Sequence, residues 1–160
     1  HQPIGELNKM NVADFINRDS ILVNIESKSK KNILETISEN LANGDSSQKD
    51  TIFDKLYERE KLGTTAFGQG IAIPHARIPN IKSPKILFMK LSEGIEFDAL
   101  DKQKVDLIFS LIVPDTKDDS HIQILSKVAS LMDSENFIKK IRDLSDKQEI
   151  LHFLKNNLQS

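Results

Sequence analysis

Cysteine is absent from all 160 residues, which excludes disulfides, thiolate catalysis and cysteine-ligated metal sites together and leaves any covalent chemistry to another side chain. A chain without cysteine is compatible with a reducing compartment. Nor is charge of one sign in excess: 22 basic residues against 24 acidic ones give a formal charge of -2, so no positive surplus is available to release counterions from nucleic acid or anionic lipid. No nucleic-acid partner is expected. The longest apolar runs, such as Leu107 to Val113, fall far short of the roughly 20 residues that a membrane span needs. No membrane insertion is expected. No charged-then-apolar leader opens the chain, so a cytoplasmic location is expected. The first residues, His1-Gln2-Pro3-Ile4-Gly5, are read with the rest of residues 1–9 as a cloning remnant or flexible N-terminus, and residues 10–160 as the domain. Repeats, low-complexity tracts and Pro/Gly/Ser linkers long enough to divide the chain are missing too.

What is present describes an ordinary globular domain. Apolar residues make up 38% and charged residues 29%, away from the composition at which chains remain disordered. A chain of this length fits one core, burying roughly 70% of its extended surface.

Apolar spacing alternates between helix and strand periods. Val12, Ala13, Phe15 and Ile16 suggest a short helix, and Ile21, Val23 and Ile25 a half-buried strand. Ile33, Leu34, Ile37 and Leu41 lie on one helical face with Gly44 as the stop. A second helix follows, capped by Ser46 or Ser47, with Ile52, Phe53, Leu56 and Tyr57 as its stripe and Gly63 at its end. Ile71 and Ile73 form a short apolar run that Pro74 stops, with a loop or edge after it. Ile86 to Leu91 and Val105 to Val113 read as strands, the second apolar at nearly every position as a central strand covered on both faces should be. Asp118, Asp119 or Ser120 can cap a helix with the stripe Ile122, Leu125, Val128, Ala129 and Met132. Phe137, Ile138 and Ile141 suggest another. The last helix opens on Ser145 and Gln148, spaced as a capping box, and buries Ile150, Leu151, Leu154 and Leu158. The expected fold is α/β: a single domain with a mixed β-sheet sandwiched by α-helices on both faces.

The unusual stretch runs from Arg59 to Arg77, REKLGTTAFGQGIAIPHAR. It places a cationic helix end, a glycine-rich loop and a histidine after proline within 19 residues. Its glycines lack the lysine and hydroxyl residue of a P-loop and do not follow the dinucleotide pattern. Pro74 fixes its own backbone near -65° and biases Ile73 toward an extended form, so His75 is presented from a stiff strand end. With a reference pKa of about 6.5, its imidazole is mostly neutral and nucleophilic at cytoplasmic pH. Phosphoryl transfer asks chiefly for positioning and positive charge, because its transition state spreads negative charge over three oxygens. Arg59, at the C-terminal end of the preceding helix, can return beside His75 through the hairpin-like loop. His121 falls in the first turn of a helix, where the dipole opposes imidazole protonation and free amides attract a phosphate.

Each residue also has a bland reading. A histidine after proline at a strand end is more often structural, Arg59 alone is a solvated helix residue paired with a glutamate, and His121 could simply neighbour a helix cap. His152, beside the last helix's stripe, is a boundary residue with no assigned role. No short-spaced pair of ligands suggests a metal site, and neither metal nor cofactor is expected.

The combination of segments decides between these readings. GIAIPHAR, the upstream YEREKLGTT and the downstream VDLIFSLIVP and SHIQILSKVA resemble the type-2 IIA domain of the bacterial phosphoenolpyruvate:sugar phosphotransferase system, the fructose/mannitol and nitrogen-regulatory group. The resemblance runs from about Asn11 to Leu158. It implies that His75 carries a phosphoryl group and that Arg59 and His121 assist. It also implies that an HPr-type phosphocarrier protein is the donor. FDALDKQKVDLIFSLIVP is more similar to the nitrogen-regulatory branch than to the sugar-transporting one, whereas the alanine after His75 also occurs in fructose-type domains. Regulatory target proteins, or a membrane IIB/IIC component, are the implied onward partners. The alternatives are a fructose/mannitol-specific IIA component in sugar uptake and a protein-binding module with little phosphotransfer.

Overall fold

The computed structural model describes residues 11–116 and 121–159. The sheet is organised around its most apolar strand. Strand β6 (Val105–Pro114) is buried at every position but one, and it is central because only a position flanked by strands and roofed on both faces removes all of those side chains from water. Strand β5 (Lys85–Ile95) pairs with one side of β6 in antiparallel fashion, and β1 (Ile21–Ile25) pairs in parallel with the far side of β5. The other side of β6 carries two short parallel strands end to end: β3 (Ile71–Ala72) against Leu107 and Ile108, and β4 (His75–Ile78) against Leu111 to Pro114. Strand β2 (Ala66–Gly68) adds to β3 as an antiparallel hairpin partner. The sheet is mixed, in the order β1-β5-β6-β3-β2 with β4 beside β6.

Strand alternation sends side chains to two cores. Phe88 and Phe109, with Leu107, Leu111 and Val113, pack under α3 (Ile122–Met132), α4 (Glu135–Asp143) and α5 (Lys147–Leu158). Leu87, Met89, Ile108 and Ile112 pack under α1 (Lys30–Ala42) and α2 (Ser46–Leu62). Helices therefore cover both faces of one mixed sheet, as the periodicity suggests. A 3-10 turn at Val12–Phe15 stands where a short helix is expected.

The differences from the sequence reading are local. Asp45, not Ser46 or Ser47, caps α2, its carboxylate accepting from the Gln48 amide at 3.1 Å. Gly44, at φ 92°, turns the chain after α1 so that Asp45 occupies the extended cap position and both serines are already helical. Asp146, not Ser145, caps α5 and accepts from the Glu149 amide at 3.0 Å. Adjacent residues with equivalent capping chemistry leave such a register open in a sequence. Tyr57 is exposed, stacked on Phe53. In α3 the buried row is Ile124, Val128 and Met132, while Ile122 is 52% exposed. The segment after Pro74 is an edge strand. The proposed caps Asp118, Asp119 and Ser120, and the N-terminal residues 1–10, lie outside the described residues. Among the described residues no helix is long and apolar enough to cross a membrane.

Candidate functional site

The site forms where the sheet's edge meets helices from both faces. Strand β4 pairs only with β6 among the described strands, which leaves its outer side to the C-terminal end of α2 and the N-terminal end of α3. Helix α2 stops at Gly63 and the chain runs out along β2. It turns through Gln69 and Gly70, both at positive φ, and returns along β3. The turn requires a glycine: a Cβ on Gly70 would stand 2.8 Å from an Arg142 nitrogen, and its φ of 82° disfavours any side chain. This return carries His75 back to the helix end from which Arg59 projects.

Pro74 sits at the step between β3 and β4. Its carbonyl accepts from the Leu111 amide at 3.0 Å and from the buried Ser110 hydroxyl at 2.9 Å, so the missing proline N–H leaves the junction anchored to β6. The half-buried His75 ring lies 2.7 Å, Nδ1 to oxygen, from the Ile73 carbonyl. A carbonyl only accepts, so Nδ1 carries the proton and Nε2 keeps its lone pair for the cleft. Burial pushes the imidazole below its ordinary pKa; the Ile73 hydrogen bond pulls it upward, the Arg59 charge lowers it and the Glu60 charge raises it, leaving a net downward shift. The ring is thereby kept neutral, the form that attacks an electrophile.

Arg59 lies in the last turn of α2 and its Nη1 donates to the Gly63 carbonyl at 2.8 Å. His121 occupies the N-cap position of α3 without a capping hydrogen bond from its side chain. Its Nδ1 is buried and has no hydrogen-bond partner among the described residues. His75, Arg59 and His121 all line one cleft of about 490 Å³. A small anion there would meet one neutral imidazole as nucleophile, one guanidinium and the positive end of a helix, the set that stabilises a transferring phosphoryl group.

Sequence reasoning missed further residues of the cleft. Lys55 and Arg77 bring additional positive charge to its wall, and Glu58 and Asp115 bring carboxylates. Arg77 is two residues beyond His75 on a strand and shares its face, and Lys55 is four residues before Arg59 on a helix; the Lys55 spacing was readable on the expected helix, the Arg77 spacing only once β4 was known to be a strand. The Arg77 Nη1 donates to the Thr116 carbonyl at 3.0 Å, tying β4 to the segment after β6. His152 is exposed and hydrogen-bonded to Asn156 on α5, and it is not among the residues lining this cleft. Among the described residues no group of three or more His, Asp or Glu is arranged to hold a metal ion.

Comparison with known proteins assigns the chain to a family. Residues 14–157 match the family described as phosphoenolpyruvate-dependent sugar phosphotransferase system, EIIA 2. The chain is similar to the nitrogen regulatory protein of Pseudomonas aeruginosa, 42% identical over 123 residues that cover 76% of this chain and 79% of that one. It is also similar to the nitrogen regulatory protein of Bradyrhizobium diazoefficiens, 34% identical over 145 residues that cover 91% and 95% respectively. The crystal structure of nitrogen regulatory protein IIA-Ntr from Neisseria meningitidis matches with a TM-score of 0.82 at 33% identity, covering 89% of this chain and 98% of that one. With a match that spans nearly its whole length, the chain belongs to the EIIA type-2 family of the phosphoenolpyruvate-dependent sugar phosphotransferase system.

Proposed function

We propose that this chain is a phosphocarrier in a nitrogen-regulatory role, accepting a phosphoryl group on Nε2 of His75 from an HPr-type phosphocarrier protein. The observation that carries the reading is the meeting of His75, Arg59 and His121 in one cleft, with the Nδ1 proton of His75 committed to Ile73. The Nε2 lone pair attacks phosphorus, the bond from phosphorus to the donor's histidine nitrogen breaks, and that nitrogen keeps the electron pair. Arg59 neutralises charge developing on the equatorial oxygens and His121 donates to one of them. Leu62, 85% exposed, and Ile122, 52% exposed, border the cleft and give a docking carrier protein apolar surface around the transfer point. The nitrogen-regulatory assignment is supported by full-length similarity to nitrogen regulatory proteins. The reading puts the chain in the cytoplasm, with regulatory proteins as the partners that sense its phosphorylation.

The test is incubation with phosphoenolpyruvate, the general phosphotransferase proteins and, in parallel, a sugar-branch or a nitrogen-branch carrier as donor. Acid-labile phosphate on the wild type, faster with the nitrogen-branch donor and absent from His75→Ala, is expected. Labelling that survives His75→Ala overturns the phosphoacceptor assignment, and faster labelling by the sugar-branch carrier overturns the regulatory one.

A further inference from the structure

Next to Arg59 in sequence stands a carboxylate whose burial the phosphoacceptor reading does not use. Glu60 is only 7% exposed, although it lies in the polar last turn of α2 between two basic residues. Its carboxylate is fully occupied. One oxygen accepts from the Thr65 hydroxyl, the other from the Thr65 amide at 2.9 Å, and the Lys30 ammonium reaches it at 2.8 Å. Lys30 in turn rests over the Phe97 ring, 4.8 Å from its centroid, and reaches Asp98 at 3.2 Å. Burying a carboxylate is unfavourable unless it is paired and hydrogen-bonded, so the cluster joins the start of α1, the end of α2 and the chain entering β2 into one rigid corner.

That corner continues to the imidazole. The Thr65 carbonyl, on the residue that Glu60 grips twice, accepts from the Ile73 amide at 3.0 Å. The Ile73 carbonyl accepts the Nδ1 proton of His75 at 2.7 Å. Three consecutive links thus run from Glu60 through Thr65 and Ile73 to His75. We infer that Glu60, anchored by Lys30, is a positioning residue that holds the His75 ring in its Nδ1–H tautomer with Nε2 facing the cleft. The same grip fixes the last turn of α2, from which Arg59 projects. Glu60 also partly offsets the Arg59 charge at the ring. The catalytic consequence of this role rests on the phosphoacceptor reading; the tautomer itself does not.

The experiment measures both. Long-range 1H–15N correlation spectra of the full chain report the His75 tautomer, and phosphoryl acceptance from the carrier protein reports kcat and KM. Wild type is expected to show the Nδ1–H form alone. Glu60→Ala is expected to show a mixture with the Nε2–H form and a kcat lowered by about tenfold at unchanged KM, as for loss of orientation rather than of docking. The neutral pair Lys30→Met with Glu60→Gln, which keeps an acceptor for Thr65 and leaves no buried charge unmatched, since Asp98 is exposed, is expected to return both readouts most of the way. Arg142→Ala, at the other end of the hairpin, should move neither. A folded Glu60→Ala that retains the wild-type tautomer and kcat overturns the inference. Should that variant not fold, Thr65→Val is decided by the same spectrum: a shifted tautomer supports the role and an unchanged one overturns it. If the wild type takes no phosphoryl group the phosphoacceptor reading fails, while the spectra still judge the positioning of the ring.

Discussion

The hairpin of β2 and β3 is pinned by an ion pair at each end, and the two pairs are built differently. At the tip, the Arg142 Nη1 reaches both oxygens of Asp106 at 2.7 Å and its Nη2 donates to the Gln69 carbonyl at 2.6 Å. Both of those side chains are about one-third exposed. At the base, the carboxylate of Glu60 is almost wholly buried and its partner Lys30 is mostly so. Water screens the tip and not the base. The tip pair closes a turn around Gly70, whereas the base pair adjoins the cleft and connects by hydrogen bonds to the imidazole. One hairpin thus has a structural end and an end tied to the site, and substitutions should tell them apart.

The largest effect belongs beyond the base. His75→Ala is expected to abolish phosphoryl acceptance, because among the described residues no other side chain lining the cleft has a ring nitrogen held by a backbone carbonyl; retained acid-labile phosphate would remove the reason for comparing the two ends. Arg59→Ala and His121→Ala are each expected to slow transfer by about 100-fold, the typical loss of one preorganised donor to a developing charge, measured as single-turnover rates from phosphorylated carrier protein. If either changed only the donor concentration needed for half-maximal rate, that residue would belong to docking instead.

Stability sharpens the comparison next. Breaking the buried pair by Glu60→Ala should cost about 3 kcal/mol, since it leaves Lys30 with only the exposed Asp98 and removes the acceptor for both Thr65 donors. Arg142→Ala should cost no more than about 1 kcal/mol at a pair about one-third exposed, with transfer unchanged. Urea unfolding monitored by circular dichroism measures both, and equal losses would mean that the two ends are alike.

How much of this was legible beforehand follows from the same contrast. The apolar stripes of α1 and α2, the doubly buried β6 and the histidine after Pro74 are written in periods and residue types that local physics fixes. His75, Arg59 and His121 stand out through their flanking segments, and the fold brings them to one cleft. Glu60 was not legible, because a glutamate between Arg59 and Lys61 looks solvated until Thr65 and Lys30 are seen to enclose it. Arg77 was hidden because four residues after a proline carry too little periodicity to declare a strand; β4 exists only because β6 supplies its hydrogen bonds. The caps were misread by one or two residues at Asp45, where Ser46 or Ser47 was expected, and by one at Asp146, where neighbouring side chains offer equivalent acceptor oxygens.

The smallest expected effect is in pH dependence. Because burial lowers the pKa of His75, its ring should remain neutral, and transfer unaffected by ring protonation, as pH falls through the usual histidine value of about 6.5, declining only below it. The unfolded chain takes up that proton first, so the same shift makes folding less favourable as pH falls from about 6.5 toward the folded value. An NMR titration of the His75 ring checks both; a midpoint above the usual value would mean that burial does not govern this ring.

The most direct measurement is the site of phosphorus attachment in the phosphorylated chain, read from long-range 1H–15N correlation and 31P spectra. Phosphorus on Nε2 of His75 is the expected result, since Nδ1 is committed to the Ile73 carbonyl. Phosphorus on Nδ1 of that ring, or on any other residue, would contradict it.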